Sequence, residues 1–175
     1  MSEKAVAIIR RATMSDTALL AELGSRTFSD TFAADNNPED MAVYLAASFS
    51  REQLTAELAD PLSRILIAEV NKSAVGYALL HAGEPLAGVS NQKPIELVRF
   101  YVSQEWHGLG VGETLMKACI DTARHEDYRT IWLGVWEHNG RARAFYRKWK
   151  FQDVGEHIFQ LGSDLQNDIL MERRL

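Results

Sequence analysis

The hydrophobic and polar positions of this chain change period several times, and each change marks an element. Val6 to Arg10 alternates and predicts a short strand. Ser15 or Asp16 is placed to cap a helix carrying Leu19, Leu20 and Leu23, with Gly24 as its predicted stop. From Pro38, suited to a first helical turn, apolar residues recur at Met41, Tyr44, Leu45, Phe49, Leu54 and Leu58 up to a stop near Pro61. A break is predicted within that region, around Ser48 to Ser50. Arg64 to Val70 and Ala74 to His81 read as two strands of a hairpin turning at Asn71-Lys72-Ser73. The polar stretch from Gly83 to Pro94 predicts a loop, and Ile95 to Val102 a strand. A helix then puts Val111, Leu115, Cys119 and Thr122 or Ala123 on one stripe. Thr130 to Trp136 predicts a strand, Gly140 to Trp149 a helix, and Val154 to Leu161 and Asp168 to Arg173 two closing strands. The order βααβββαβαββ implies an α/β domain, a mixed sheet with helices on both faces, over residues 1–175 without a boundary or repeat.

The segment between the strand ending at Val102 and the helix at Glu113 and Leu115 carries the most chemistry. It reads His107-Gly108-Leu109-Gly110-Val111-Gly112. Glycines at every second position leave backbone N–H groups uncovered where a helix begins, and the helix N-terminus adds partial positive charge, so a pyrophosphate can sit there. A P-loop would need Lys and Ser or Thr after its last Gly, but Glu113 and Thr114 follow Gly112. A dinucleotide loop would need a third Gly where Glu113 stands, and a preceding βαβ unit. On this hexapeptide alone, a turn that merely caps a helix weighs as much as a phosphate cradle.

Composition narrows the partners. With 46% hydrophobic and 25% charged residues, the chain has the balance of a globular domain. A net charge of −5 argues against nucleic acid and suits a cationic substrate. Cys119 is the only cysteine, so there is neither a disulfide framework nor a thiol metal site, and no metal is expected. Cys119 itself falls on the buried stripe and reads as core. The most apolar runs, such as Ile65 to Val70, are too short to span a bilayer, and a reducing cytoplasm is the default expectation.

The glycine loop resembles the coenzyme A pyrophosphate loop of the GNAT family of N-acetyltransferases, and a second signature supports it. After the fifth strand come Asn139, Ala142, Ala144, Phe145, Tyr146 and Phe151, similar to the family's Asn, Ala, Phe-Tyr and Gly-Phe pattern. The resemblance implies the acyl-CoA N-acyltransferase fold: about seven mostly antiparallel strands, splayed between the fourth and fifth. It also implies acetyl-CoA as co-substrate and direct transfer to an amine. Pantetheine is expected on the main chain of Phe100, Tyr101 and Val102, where the splay leaves backbone groups unpaired. The pyrophosphate is expected on the loop residues His107, Gly108, Leu109, Gly110, Val111, Gly112 and Glu113. Asn139 is expected to bond the pantetheine arm near the thiol, serving also as a helix cap. Tyr146 takes the position of the acid that protonates the departing thiolate. Arg141, Arg143, Arg147 and Lys148 are alternatives for the 3′-phosphate or simply a solvated face.

The proton acceptor is less explicit. Many relatives carry a Glu at the position of Gly134, so that base is absent; others use a carboxylate on the fourth strand, where Glu96 lies. Strict alternation places Glu96 on one face with Val98 and Phe100, and apolar neighbours would raise its pKa toward that of a base. An ion pair weighs equally, and Glu137 and His138 are weaker candidates. Trp132 and Trp136 share a strand face and read chiefly as packing. His107 departs from the usual Arg or Gln before the glycines, and Lys150 from the usual Gly after the fifth-strand helix.

A narrower resemblance covers most of the chain. Thr27-Phe28, Asp30-Thr31-Phe32, Asn37-Pro38-Glu39, Met41, Tyr44, Phe49, Gln53-Leu54 and Glu57-Leu58 are similar to PaiA-type spermidine/spermine acetyltransferases. So are Ile131 to Glu137, Gly155 with His157 and Phe159, and Gly162 with Gln166 and Asp168. It implies a small-molecule amine partner, a polyamine first, with Phe28, Asp30, Phe32 and Tyr44 as substrate contacts. Neither a nucleic acid nor a membrane is an expected partner, and a homodimer is left open. A protein N-terminus or another small amine is the alternative acceptor; a catalytically silent acyl-CoA sensor is a third reading.

Overall fold

The structure, a computed structural model, describes residues 5–175; the first four residues of the expected domain lie outside the described residues. Seven strands form one sheet in the order β1-β2-β3-β4-β5-β7-β6. The strands are β1 (Ile8–Arg11), β2 (Ser63–Val70), β3 (Ser73–His81), β4 (Pro94–Val102), β5 (Thr130–Trp136), β6 (Gln152–Leu161) and β7 (Asp164–Arg174). Every pairing is antiparallel except that of β4 with β5. Helices α1 (Thr17–Phe32), α2 (Pro38–Ser48) and α3 (Arg51–Ala59) cover one face; α4 (Val111–His125) and α5 (Gly140–Lys148) cover the other. This is the expected mixed, mostly antiparallel α/β architecture. Among the described residues no helix is long and apolar enough to cross a membrane.

Two separate cores follow from that layering. Beneath α4 and α5, Val111, Leu115, Cys119 and Ala123 pack on Leu97, Ile131 and Leu133. Beneath α1 to α3, Leu20, Leu23, Phe28 and Leu54 pack on Ile67, Tyr77 and Leu79. The period-two alternation of β3 serves both, since Tyr77 and Leu79 face the first helices while Ala78 and Leu80 face α4. The break expected near Ser48 falls at Phe49, and Ser50 caps α3 by accepting from the Gln53 N–H at 3.1 Å.

Several boundaries differ from expectation, three of them instructively. The first strand starts at Ile8 and not at Val6. Helix α1 runs through Gly24 to Phe32, eight residues beyond the predicted stop. Gly24 is a contact residue and not a cap: a Cβ there would lie 2.5 Å from Phe49 Cδ1 and 2.7 Å from the Tyr77 hydroxyl. The missing side chain lets α1 close onto those rings. Strand β7 begins at Asp164, four residues before the predicted start, because Gly162 adopts φ 61° in a tight turn that returns the chain directly from β6. That turn is fastened to α2, with the Ser163 N–H and hydroxyl donating to Asp40 Oδ1 at 2.7 and 2.8 Å.

Gly24→Ala tests this account of α1. An alanine gains about 1 kcal/mol of helix propensity over glycine. Forcing a methyl into a filled core costs about 1–3 kcal/mol. The expected outcome is a net loss of stability, read as a lower urea midpoint with an unchanged slope.

Candidate active site

Strands β4 and β5 pair over three rungs only, Pro94 with Thr130, Ile95 with Ile131 and Glu96 with Trp132. Beyond that point β4 keeps β3 on one side and β5 keeps β7, while the edges facing each other diverge. Those edges carry backbone N–H and C=O groups with no strand beside them. A cavity of about 710 Å³ runs through the opening. Its one side is built by β4, the glycine loop and α5; its other side by α1, α2, β6 and β7.

On the α4–α5 side, Gly108 and Gly110 take φ 77° and 89°, and Gly110 stands as the N-cap of α4 in the left-handed region. The amides of Val111, Gly112 and Glu113 therefore open the helix without intrahelical acceptors. Glu113 is exposed at the edge of the cavity. His107 does not reach outward: its Nε2 lies 2.6 Å from the Val102 carbonyl and ties the loop back to β4. The Val102 carbonyl is thereby occupied, leaving its N–H. Asn139 caps α5, its Oδ1 accepting from the Ala142 N–H at 3.2 Å, so its side-chain NH2 is the part that faces the cavity free. Arg143 and Arg147 are both engaged with Asp153, at 3.0 and 3.1 Å, whereas Arg141 and Lys148 line the cavity.

Tyr146 projects from α5 into the opening, against Phe100 at 6.3 Å and Phe151 at 5.7 Å between ring centroids. Burial raises its pKa well above that of a free phenol, so it remains a proton donor throughout the neutral range. Cys119, fully buried beneath it, is likewise held as the neutral thiol. The lysine at position 150 adopts φ 67°, the left-handed conformation expected after this helix.

The other side is aromatic and acidic. Phe28, Phe32 and Tyr44 line it as expected, with Phe28 and Tyr44 stacked at 4.5 Å. Asp30 does not line the cavity: it sits on the exposed side of α1, off the face shared by Phe28 and Phe32, and its carbonyl accepts from Gln104. Thr31 takes the place by the cavity instead. Trp132 and Trp136, read from sequence as packing, both line the wall. The Trp132 indole N–H is buried with no partner among the described residues.

The surroundings of Glu96 correct the strict alternation. β3 and β4 shift register between Leu79/Leu80, where Leu80 pairs with Leu97 and Leu79 with Arg99, so Val98 is an inserted bulge residue. After it the faces exchange. Glu96 and Val98 therefore share the α1–α3 face with Arg99 and Tyr101, as expected for Val98, while Phe100 turns toward α5. Burial raises the Glu96 carboxyl pKa, opposed by His81, its cross-strand partner. His81 is itself paired with Asp60 at 3.1 Å. Arg99 is not free to neutralise Glu96: it donates to Glu57 at 2.6 Å and to the Ser48 carbonyl at 3.0 Å, and stacks over Phe49.

A model of the acetyltransferase (GNAT) family matches residues 26–151. The chain belongs to that family. This acetyltransferase is 33% identical to an uncharacterized N-acetyltransferase of Lactobacillus delbrueckii, over 87% of this chain and 88% of that one. It is also 33% identical to an uncharacterized N-acetyltransferase of Mycobacterium tuberculosis, over 93% and 99%. Among solved structures, PaiA N-acetyltransferase from Thermoplasma acidophilum in complex with coenzyme A superposes with a TM-score of 0.80 at 20% identity, covering 97% of this chain and 99% of that one. A putative acetyltransferase from Salmonella typhimurium with acetyl-CoA gives 0.66 at 22%, covering 98% and 95%. These likenesses establish the fold, with its splayed β4 and β5, for this acetyltransferase.

One residue of the acetyltransferase cavity went unremarked in the sequence beyond a matching position. Asp168 projects from β7 beside Gly134, its Oδ2 3.3 Å from where a Cβ of residue 134 would lie. Alternation along β7 carried the signal, since Ile169 and Met171 belong to the α4 side and Asp168 and Leu170 to the other. Burial pushes its pKa up to about 6, with His157 on β6 opposing. A carboxyl whose pKa rises on folding favours the folded state at low pH and disfavours it once ionised. Asp168→Asn is expected to raise the melting temperature above pH 6, an advantage that disappears as pH falls toward the ordinary carboxylate value of 3.8. Thermal melts across that window check it.

Proposed function

We propose that this acetyltransferase moves the acetyl group of acetyl-CoA directly to a primary amine of a polyamine, such as spermidine or spermine, or of a similar small cation. The observation that carries the reading is a single cavity through the splay, with a protonated phenol on one side and an acidic, aromatic wall on the other. The likeness of the motifs around Phe28, Asn37-Pro38-Glu39, Trp132 and Asp168 to PaiA-type spermidine/spermine acetyltransferases supports a polyamine as acceptor.

The donor is held by backbone. The unpaired edge of β4 at Phe100, Tyr101 and Val102 hydrogen-bonds the pantetheine arm as an added strand would, and Asn139 contributes its side-chain N–H. The amides from Gly108 to Glu113 take the pyrophosphate at the head of α4. Arg141 and Lys148 lie where a further phosphate meets positive charge.

The chemistry then needs three proton movements: one off the ammonium before attack, one off the still cationic nitrogen after attack, which restores the Tyr146 phenol, and one from that phenol onto the departing sulfur. An alkylammonium near the lysine reference of ~10.4 must lose a proton before its nitrogen attacks the thioester carbonyl. Glu96 takes that proton, directly or through water, its basicity raised by burial. As the carbon–sulfur bond breaks, Tyr146 donates its hydroxyl hydrogen to the departing sulfur, offsetting the negative charge that develops there.

Tyr146→Phe removes one oxygen from a buried site. Turnover is expected to fall about a hundredfold, the scale of one lost general acid. Acetyl-CoA affinity, followed by calorimetry, stays within a factor of about two. Glu96→Gln is expected to lower kcat and to abolish the acidic limb of the rate–pH profile. An acceptor panel with a free-thiol readout decides the substrate class: spermidine turns over faster than an N-terminal peptide, and the reverse order overturns the polyamine reading.

A further inference from the structure

Asp168 is an anion in an environment built for a cation. Its carboxylate faces Trp136 across β5 and His157 across β6, on the cavity wall shared with Phe32, Tyr44 and Phe159. Phe32 and Trp136 meet edge to face at 6.1 Å, and Tyr44 and Phe159 at 5.5 Å. Among the described residues it forms no ion pair and accepts no side-chain hydrogen bond. A half-buried carboxylate without donors loses hydration that only a cation or hydrogen-bond donor can replace. Aromatic faces add attraction for an ammonium group and none for an anion.

The groups around it leave that place to a ligand. β6 presents His157 and α2 presents Tyr44, whose hydroxyl stays protonated through the neutral range. α1 offers Phe28, Thr31 and Phe32, and β5 offers Gly134 and Trp136. Glycine at 134 is part of the arrangement, because a larger residue there would crowd the carboxylate. Along β5, Glu96 lies beside Trp132 and Asp168 beside Trp136, at opposite ends of the segment that leaves β4. Those rungs are four residue steps apart, about 13 Å of backbone. The reacting nitrogen belongs near Glu96, at the inner end of the splay.

We propose that Asp168, walled by Phe32, Tyr44, Trp136 and Phe159, binds a second cationic nitrogen of the acceptor, several methylenes from the nitrogen that is acetylated. This rests on the amine-acetyltransferase reading above and specifies it: the favoured acceptors are extended diamines and polyamines, and Asp168 selects them by charge.

The test compares diaminobutane with aminobutanol, equal in length and differing in the second cation. The wild-type enzyme should favour diaminobutane, and in Asp168→Asn its kcat/KM ratio over aminobutanol should fall about tenfold, the scale of one lost charge pairing. The fall should lie in KM for the diamine, with kcat within about threefold of wild type. Equal losses for both acceptors would make Asp168 structural, and a loss confined to kcat would make it a proton acceptor; either overturns the subsite. An unchanged ratio overturns it while leaving amine acetylation intact. If wild type acetylates neither compound nor spermidine, the functional reading itself fails and this subsite with it.

Discussion

Everything in the site depends on β4 and β5 ceasing to pair after Glu96 and Trp132. An interrupted parallel ladder would ordinarily be a defect, since each buried and unpaired amide or carbonyl costs free energy. Here the interruption is bounded on each side by fully paired strands, so the sheet stays continuous while one seam opens. The seam leaves backbone hydrogen-bonding groups that the proposed function gives to a coenzyme arm, and it gives the two faces of the sheet a common chamber. Tyr146 reaches it from one face, Glu96 and Asp168 from the other.

The local chemistry is arranged by modest means. A one-residue bulge at Val98 turns Arg99 and Tyr101 toward the first helices and Phe100 toward α5, within a single strand. Arg99 then ties β4 to the end of α2 and to Glu57 of α3, both partners nearly buried. Such a pair contributes little net stability against its desolvation, but losing one partner would strand a buried charge. Its role is geometric: it fixes α2 and α3 to the strand that lines the seam.

Much of this was legible in the sequence. The glycine spacing from His107 to Gly112, the apolar stripe of α4 and the Asn139 to Tyr146 signature are local patterns, and the structure assembles them around one cavity. What escaped depends on contacts between distant residues. Gly24 reads as a helix stop unless Phe49 and Tyr77 are known to lie against it. Counting by twos along Ile95 to Val102 cannot detect a bulge defined by pairing with β3, and so it set Phe100 on the face of Glu96. Asp30 was drawn in with Phe28 and Phe32 by proximity in sequence, although helical periodicity sets it on the opposite side. Asp168 and Gly134 look unrelated in sequence and make sense only as neighbours across β5 and β7.

The separation of the two hydrophobic cores has a consequence for how such a protein can change over generations. Substitutions beneath α1 to α3 repack Phe28, Tyr44 or Phe159 without touching the side chains that support the glycine loop. On the proposed function, a lineage can therefore drift in its acceptor while its donor stays constant. Away from the seam the sheet keeps the two packing problems apart, and Gly134 and Asp168 stand on the side of the first helices.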